Sequence, residues 1–234
     1  MSIIWLILLP TLGIFIPLLC QSNNRNMITS LTAMLPAASF ILLCTFTNQV
    51  FSGEELRFFI PWISSLGLSL SFHLDGLAFL FCLLIIGIGL LVILYARYYL
   101  SDKDNMGKFY CLLMFFMVAM LGVVLSNNLI QLWMFWELTS ISSFLLISFW
   151  SHKTEARKGA RMALTVTGTG GLALLGALLL IGHITGTYEL NEVLGKASLI
   201  HASDLYTPTL ILFLLGAFTK SAQFPFHFWL PHAM

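Results

Sequence analysis

The sequence predicts an all-α polytopic membrane protein of about seven transmembrane helices, the last one broken, with a short extracytoplasmic β-hairpin. Three observations carry this. Only 9% of the 234 residues are charged and 59% are hydrophobic, whereas an ordinary soluble domain is about 25% charged. The charges are also clustered: 26–53, 58–74, 76–96, 109–136, 162–188 and 205–219 hold none, and 138–154 holds only Lys153. Most of these windows reach the length of about 20 apolar residues that a membrane span needs. Finally, the apolar residues come in long runs rather than alternating segments of about ten residues, which argues against a β-barrel. The same composition excludes a soluble enzyme, a disordered chain and an electrostatic nucleic-acid binder; the net charge of +1 sums over both sides of a membrane and carries no information.

The spans fall at 3–20, 27–47, 77–96, 109–126, 129–150, 162–182 and 207–223. The first has no basic leading region and no Ala-x-Ala site, and it contains Pro10 and Pro17, so it reads as a retained helix rather than a signal peptide. Loops after spans one, three and five carry eight Lys/Arg: Arg25; Arg97, Lys103 and Lys108; Lys153, Arg157, Lys158 and Arg161. The opposite side carries Arg57 and Lys196. The positive-inside rule then places the N-terminus outside, with loops 97–108 and 151–161 cytoplasmic.

In the loop after span two, Leu66, Leu68, Leu70, Phe72 and Leu74 alternate with Gly67, Ser69, Ser71, His73 and Asp75. Period two predicts a half-buried strand, paired across Ser64–Ser65 with Arg57–Ile63, in a hairpin loop at 51–76. Loop 151–161 reads as a basic amphipathic segment flanking a membrane helix, with a relay or lipid-headgroup role, Lys158 included, as the alternative. In span six, Thr169, Ala173 and Ala177 recur every four residues and favour close helix packing. Thr167–Gly171 superficially resembles a phosphate loop but lacks the Gly-Lys-Ser/Thr ending, so it predicts no nucleotide site. Cys20, Cys44, Cys82 and Cys111 are dispersed and form no metal or redox motif, and no histidine pair sits mid-span on facing helices. No cofactor or metal is expected.

Two charges have no loop to belong to. Glu137 lies about nine residues into span five, where a charge costs on the order of 3 kcal/mol by insertion scales. Ser140, three residues on, shares its face and is expected to hydrogen-bond it or a nearby water. Lys220 follows an uncharged stretch and precedes SAQFPFHFWLPHAM. Its plainer reading is a lysine that snorkels from a helix end. Pro225 and Pro231 argue otherwise: proline lacks the N–H and disfavours helix at the residue before it, while apolar character continues through Phe224, Phe226, Phe228, Trp229 and Leu230. The helix is therefore expected to break inside the membrane and resume, a device tolerated where it lines a cavity and recurrent at transporter ion sites. Lys220, Gln223 and His227 would share one face if the helix persisted. A carboxylate–ammonium pair that opens and closes is a chemically reasonable element for moving protons through an apolar wall.

The strings WELTSISSFLLI (136–147), FTKSAQFPFHFWLPHAM (218–234) and SFHLDGLAFLF (71–81) resemble the antiporter-like subunits shared by respiratory complex I and the Mrp-type multisubunit cation/proton antiporters. Together with RKGARMALTVTGTGGLALLG (157–176), they look most like the A subunit of the Mrp type. The resemblance implies a bundle of inverted repeats, each with one broken helix, of which 1–234 would be the first half. It also implies that Glu137 and Lys220 form the proton-path pair, that His227 relays, and that Asp75 has a structural or entrance role. Family members continue past PHAM, so these residues would hold one half-set of the path.

The expected function is that of a proton-conducting subunit of a sodium/proton antiporter complex in the plasma membrane, a secondary transporter component rather than an enzyme. Its partners would be the other subunits, the bilayer, protons and a monovalent cation such as Na+. Two alternatives stay open: a proton-pumping subunit of an NADH:quinone oxidoreductase-type complex, and a non-transporting assembly scaffold.

Overall fold

The computed structural model describes residues 2–19, 24–63 and 67–233. Its helices are α1 (Trp5–Gly13), α2 (Ile16–Leu19), α3 (Arg25–Thr45), α4 (Thr47–Phe51), α5 (Gly76–Tyr99), α6 (Met106–Leu125), α7 (Leu129–Ile147), α8 (Thr154–Thr185), α9 (Leu190–Gly195), α10 (Ala197–Ala202), α11 (Tyr206–Lys220) and α12 (Trp229–Ala233). A two-stranded sheet, β1 (Leu56–Ile63) with β2 (Leu68–Leu74), precedes α5. Among the described residues, five helices are long and apolar enough to cross a membrane: α3, α5, α6, α7 and α8. The chain is thus mostly helical and membrane-embedded, as the composition predicts.

The other two predicted spans differ from a simple rod. Span one is the pair α1 and α2, interrupted after Gly13; Pro10 sits inside α1 without breaking it. Span seven is α11, whose 15 residues extend about 22 Å at 1.5 Å per residue. It ends at Lys220, several residues before the predicted break at Phe224–Pro225. The basic segment 151–161 is not a separate loop element, because α8 begins at Thr154 and runs through it as one 32-residue helix.

The chain divides into two compact units. The first comprises residues 1–58 and 72–125. In it α1 packs on α3 and α6, and α5 packs on α3 and α6. Tyr110 is fully buried there, its hydroxyl donating to the Ile93 carbonyl at 3.0 Å and meeting Thr29 at 2.9 Å. Arg25 binds Asp102 and the carbonyls of Arg97 and Leu100, tying the start of α3 to the end of α5.

The second unit comprises 59–71 and 126–234. Here α8 is the central element, packed against α7, α11 and α12. Its contact stripe is Gly159, Ala160, Ala163, Thr167, Gly170, Gly171, Leu174 and Ala177, all buried. The predicted stripe of Thr169, Ala173 and Ala177 only partly coincides with it: Ala177 is buried, Ala173 half-buried and Thr169 exposed. The glycines explain the offset. A Cβ on Gly216 would stand 2.7 Å from the Leu174 Cβ, and one on Gly170 would run into Thr219. The α8–α11 crossing is therefore close enough that only glycine fits on either side.

The β-hairpin forms where the alternation predicts it, while the Ser64–Ser65 turn and Leu66 lie outside the described residues. Its polar face departs from the half-buried expectation. Ser69 and Ser71 are as buried as Leu68, Phe72 and Leu74, because a buried polar group finds hydrogen-bond partners inside the second unit.

Candidate functional site

The site forms in the second unit, where α7 and α11 both pack on α8. Lys220 is the last residue of α11, so its ammonium lies at the negative end of the helix dipole. The side chain turns inward to α7. Nζ donates to Thr139 Oγ1 at 2.6 Å, to Ser140 Oγ at 2.8 Å and, at 3.4 Å, to the Trp136 carbonyl. An ammonium has three donors, and the three acceptors account for them. Nζ also stands 5.4 Å from the centroid of the Trp136 ring, within cation–π range.

Thr139 and Ser140 are 2% and 3% exposed. Each hydroxyl works in both directions: the Thr139 hydroxyl donates to the Trp136 carbonyl at 2.7 Å while accepting from Lys220, and Ser140 makes a longer bond to the same carbonyl, 3.5 Å. Ser140 thus binds Lys220, a partner that its spacing from Glu137 does not indicate.

Glu137 occupies the next position round the helix. At about 100° per residue, Trp136, Thr139 and Ser140 share a face, and Glu137 is displaced from the middle of it. Its carboxylate packs on α8, where a Cβ on Gly171 would collide with Oε1. That oxygen is buried and has no hydrogen-bond partner among the described residues. The Trp133 indole N–H donates to the Gly171 carbonyl at 2.9 Å, which fixes α7 against α8 one turn before Glu137. Glu137 and Lys220 interact electrostatically but make no direct ion pair among the described residues. The structure therefore brings the two predicted charges to one site and holds them apart within it.

Beyond Lys220 the chain leaves the helix. Ala222 takes a left-handed conformation at φ 51°, a region unfavourable to a residue with a Cβ. Phe226–Phe228 form a 3-10 turn, and α12 follows. Ser221 N closes the last helical bond, to Ala217 O at 3.0 Å. The carbonyls beyond it lack helical donors, and two are satisfied locally: Gln223 N donates to Phe218 O and the Trp229 indole N–H to Thr219 O, both at 3.0 Å. Because the helix ends, Lys220, Gln223 and His227 do not share one helical face. Gln223 and His227 are exposed, and the His227 ring stacks on Phe224 with centroids 5.7 Å apart.

The remaining predicted residues make local contacts. Asp75 caps α5 by accepting from Ala78 N at 2.7 Å. Lys158 makes an exposed pair with Glu155 at 3.4 Å.

Sequence reasoning missed Thr139, although WELTS places it three residues after Trp136 and beside Ser140. It also missed a second polar cluster in this unit. The Glu189 carboxylate accepts from Ser69 Oγ, from Asn127 Nδ2 at 3.0 Å and from Asn128 Nδ2 at 2.9 Å. Asn128 in turn caps α7 through Ile130 N and Gln131 N, and Gln131 Oε1 accepts from Ser71 N at 2.8 Å. The cluster fastens the hairpin to the start of the helix that carries Glu137. Glu189 sits in an ordinary-looking polar connection, and its partners are 61 to 120 residues away, so no local signal marks it.

Residues 126–234 match the family described as NADH:quinone oxidoreductase/Mrp antiporter, TM, and residues 59–110 match that described as NADH-Ubiquinone oxidoreductase (complex I), chain 5 N-terminus. A Rhizobium meliloti protein, named as the A/B subunit of a probable K(+)/H(+) antiporter, is 51% identical over 97% of this chain and 23% of its own length. The A subunit of the Na(+)/H(+) antiporter of Alkalihalophilus pseudofirmus is 46% identical over 95% of this chain and 28% of its own. The chain spans about a quarter of the length of these curated relatives. Among solved structures, the Mrp complex from Dietzia sp. DQ12-45-1b superposes with a TM-score of 0.81 at 33% identity, covering 97% of this chain and 25% of that one. The membrane-bound sulfane sulfur reductase, an archaeal respiratory membrane complex, shares the fold: its TM-score is 0.82 at 20% identity, over 97% of this chain and 35% of that one.

Proposed function

Because the chain belongs to the family of antiporter-like membrane subunits shared by NADH:quinone oxidoreductases and Mrp antiporters, we propose that it conducts protons as part of a multisubunit monovalent cation/proton antiporter. The observation that carries this reading is the inward-turned Lys220 ammonium at the end of a broken helix, held on the face of α7 next to the one that carries Glu137. A charge in lipid costs several kcal/mol, and local helix formation requires neither of these two.

Glu137 and Lys220 are the proton-carrying pair of this reading. His227, exposed beyond the break, passes protons on, and Gln223, Asp75 and Lys158 are accessory. The cation is Na+, exchanged by the assembled complex in the plasma membrane with the N-terminus outside and 97–108 and 151–161 in the cytoplasm. Residues 1–234 serve as the first of two inverted repeats. The relatives' names include both K+ and Na+, so both ions enter the test.

The test replaces Glu137 by Gln and Lys220 by Ala in the full-length complex and follows Na+- and K+-driven ΔpH in everted vesicles. Each variant is expected to lose most of the exchange while the complex still assembles on native gels. Wild-type exchange in both variants rules the reading out, and loss of assembly instead favours a scaffold. A second reading, a proton-pumping subunit of an NADH:quinone oxidoreductase-type complex, is favoured by the match of residues 59–110. It predicts NADH-dependent proton movement in the same membranes.

A further inference from the structure

We propose that the Thr139 and Ser140 hydroxyls are positioning residues that form the resting seat of the Lys220 ammonium, and that transport requires Lys220 to alternate between this seat and the Glu137 carboxylate. The inference rests on the reading of Glu137 and Lys220 as the proton-carrying pair and names what holds that pair open.

The geometry carries it. A buried ammonium is tolerated only when its donors are matched, and here two hydroxyls and a carbonyl match all three without the carboxylate. Those hydroxyls donate to the Trp136 carbonyl, which orients their lone pairs toward Lys220. Meanwhile Glu137 Oε1 is buried without a partner among the described residues. Lys220 therefore has two alternative sets of acceptors on one helix, and it occupies the uncharged set.

An ammonium with only a carboxylate to turn to stays paired with it, since separating a buried pair leaves both charges uncompensated. Thr139 and Ser140 remove that penalty by offering hydrogen bonds of the charge-assisted kind. The move itself makes and breaks no covalent bond; one set of hydrogen bonds is exchanged for an ion pair. Without the hydroxyls the pair locks closed and exchange slows.

The experiment uses the full-length antiporter complex in everted vesicles, with rates normalised to the amount of assembled complex on native gels. Thr139→Val keeps the shape and removes the hydroxyl; Thr139→Ser keeps the hydroxyl and removes the methyl; Ser140→Ala is tested alone and with Thr139→Val. The double variant is expected to lose about tenfold or more of cation-driven ΔpH, each hydroxyl-less single variant to lose part of it, and Thr139→Ser to stay within about twofold of wild type. That contrast separates the hydroxyl from packing, and the single variants decide the matter if the double variant assembles poorly. Rates at or above wild type in Thr139→Val and Ser140→Ala, with Glu137→Gln and Lys220→Ala inactive, overturn the seat alone. Wild-type rates in Glu137→Gln and Lys220→Ala overturn the reading beneath it.

Discussion

The Glu137 carboxylate lies directly on the backbone of Gly171, where a Cβ would collide with Oε1. The absence of a side chain on α8 thus sets the depth of the acid on α7. Gly171→Ala is expected to displace Glu137 and overpack the α7–α8 contact at a cost of about 1–3 kcal/mol. Cation-driven ΔpH should fall well before assembly does, and parallel transport assays and native gels measure the two. Gly168, which has nothing within 4 Å of a Cβ position, should accept Ala with little effect on either.

Asn128 joins two tasks, capping α7 and donating to Glu189. Asn128→Ala removes the cap and leaves the carboxylate short of a donor, for a loss of about 2–4 kcal/mol. Thermal unfolding in detergent should show a lowered midpoint. Asn128→Asp, which keeps the cap and sets two carboxylates face to face, should also destabilise, which would separate the two tasks.

Asp75 distinguishes a cap from an entrance. Its carboxylate accepts from Ala78 N, so Asp75→Ala should cost about 1 kcal/mol, while Asp75→Asn or Asp75→Ser should retain most of the cap. Transport in Asp75→Asn is expected to match wild type; a strong loss there with unchanged stability assigns the carboxylate to the proton entrance instead.

Beside the hairpin, the Arg57 hydrogen bond and then the nearby His73 hold the Glu55 carboxyl below its ordinary value of 4.5. A depressed folded-state value means that the contribution is present above pH 4.5 and is lost as pH falls through the lower, folded value. The group is exposed, so the effect is small and salt-sensitive. Hydrogen exchange of the β1 and β2 amides, corrected for intrinsic rates, should show protection that declines below pH 4.5 in wild type and less so in Arg57→Ala.

The site was legible in the sequence to the extent that it violated the membrane's rules. Glu137 and Lys220 stood out because lipid penalises charge, and the prolines after Lys220 announced a break. Thr139 did not stand out, and Ser140 stood out only as a neighbour of Glu137, because hydroxyls are tolerated in membrane helices and their value here comes from a lysine 81 and 80 residues away. The break came earlier than Pro225 suggested. A proline marks where helix is disfavoured, whereas the end of α11 coincides with the turn of Lys220 into α7 and the left-handed Ala222. The hairpin's alternation gave its strands, but the burial of Ser69 and Ser71 depended on Asn127, Asn128, Gln131 and Glu189, which period two does not report.

The bond from the Trp229 indole to the Thr219 carbonyl bears on wetness. A helix that stops in lipid normally invites water to its stranded carbonyls, each of which costs several kcal/mol if left bare. Here the Phe218 and Thr219 carbonyls are answered by the chain itself, the second by an aromatic ring folded back across the gap. Trp229 thus limits how much water the break draws in beside the point where the Lys220 side chain turns into α7.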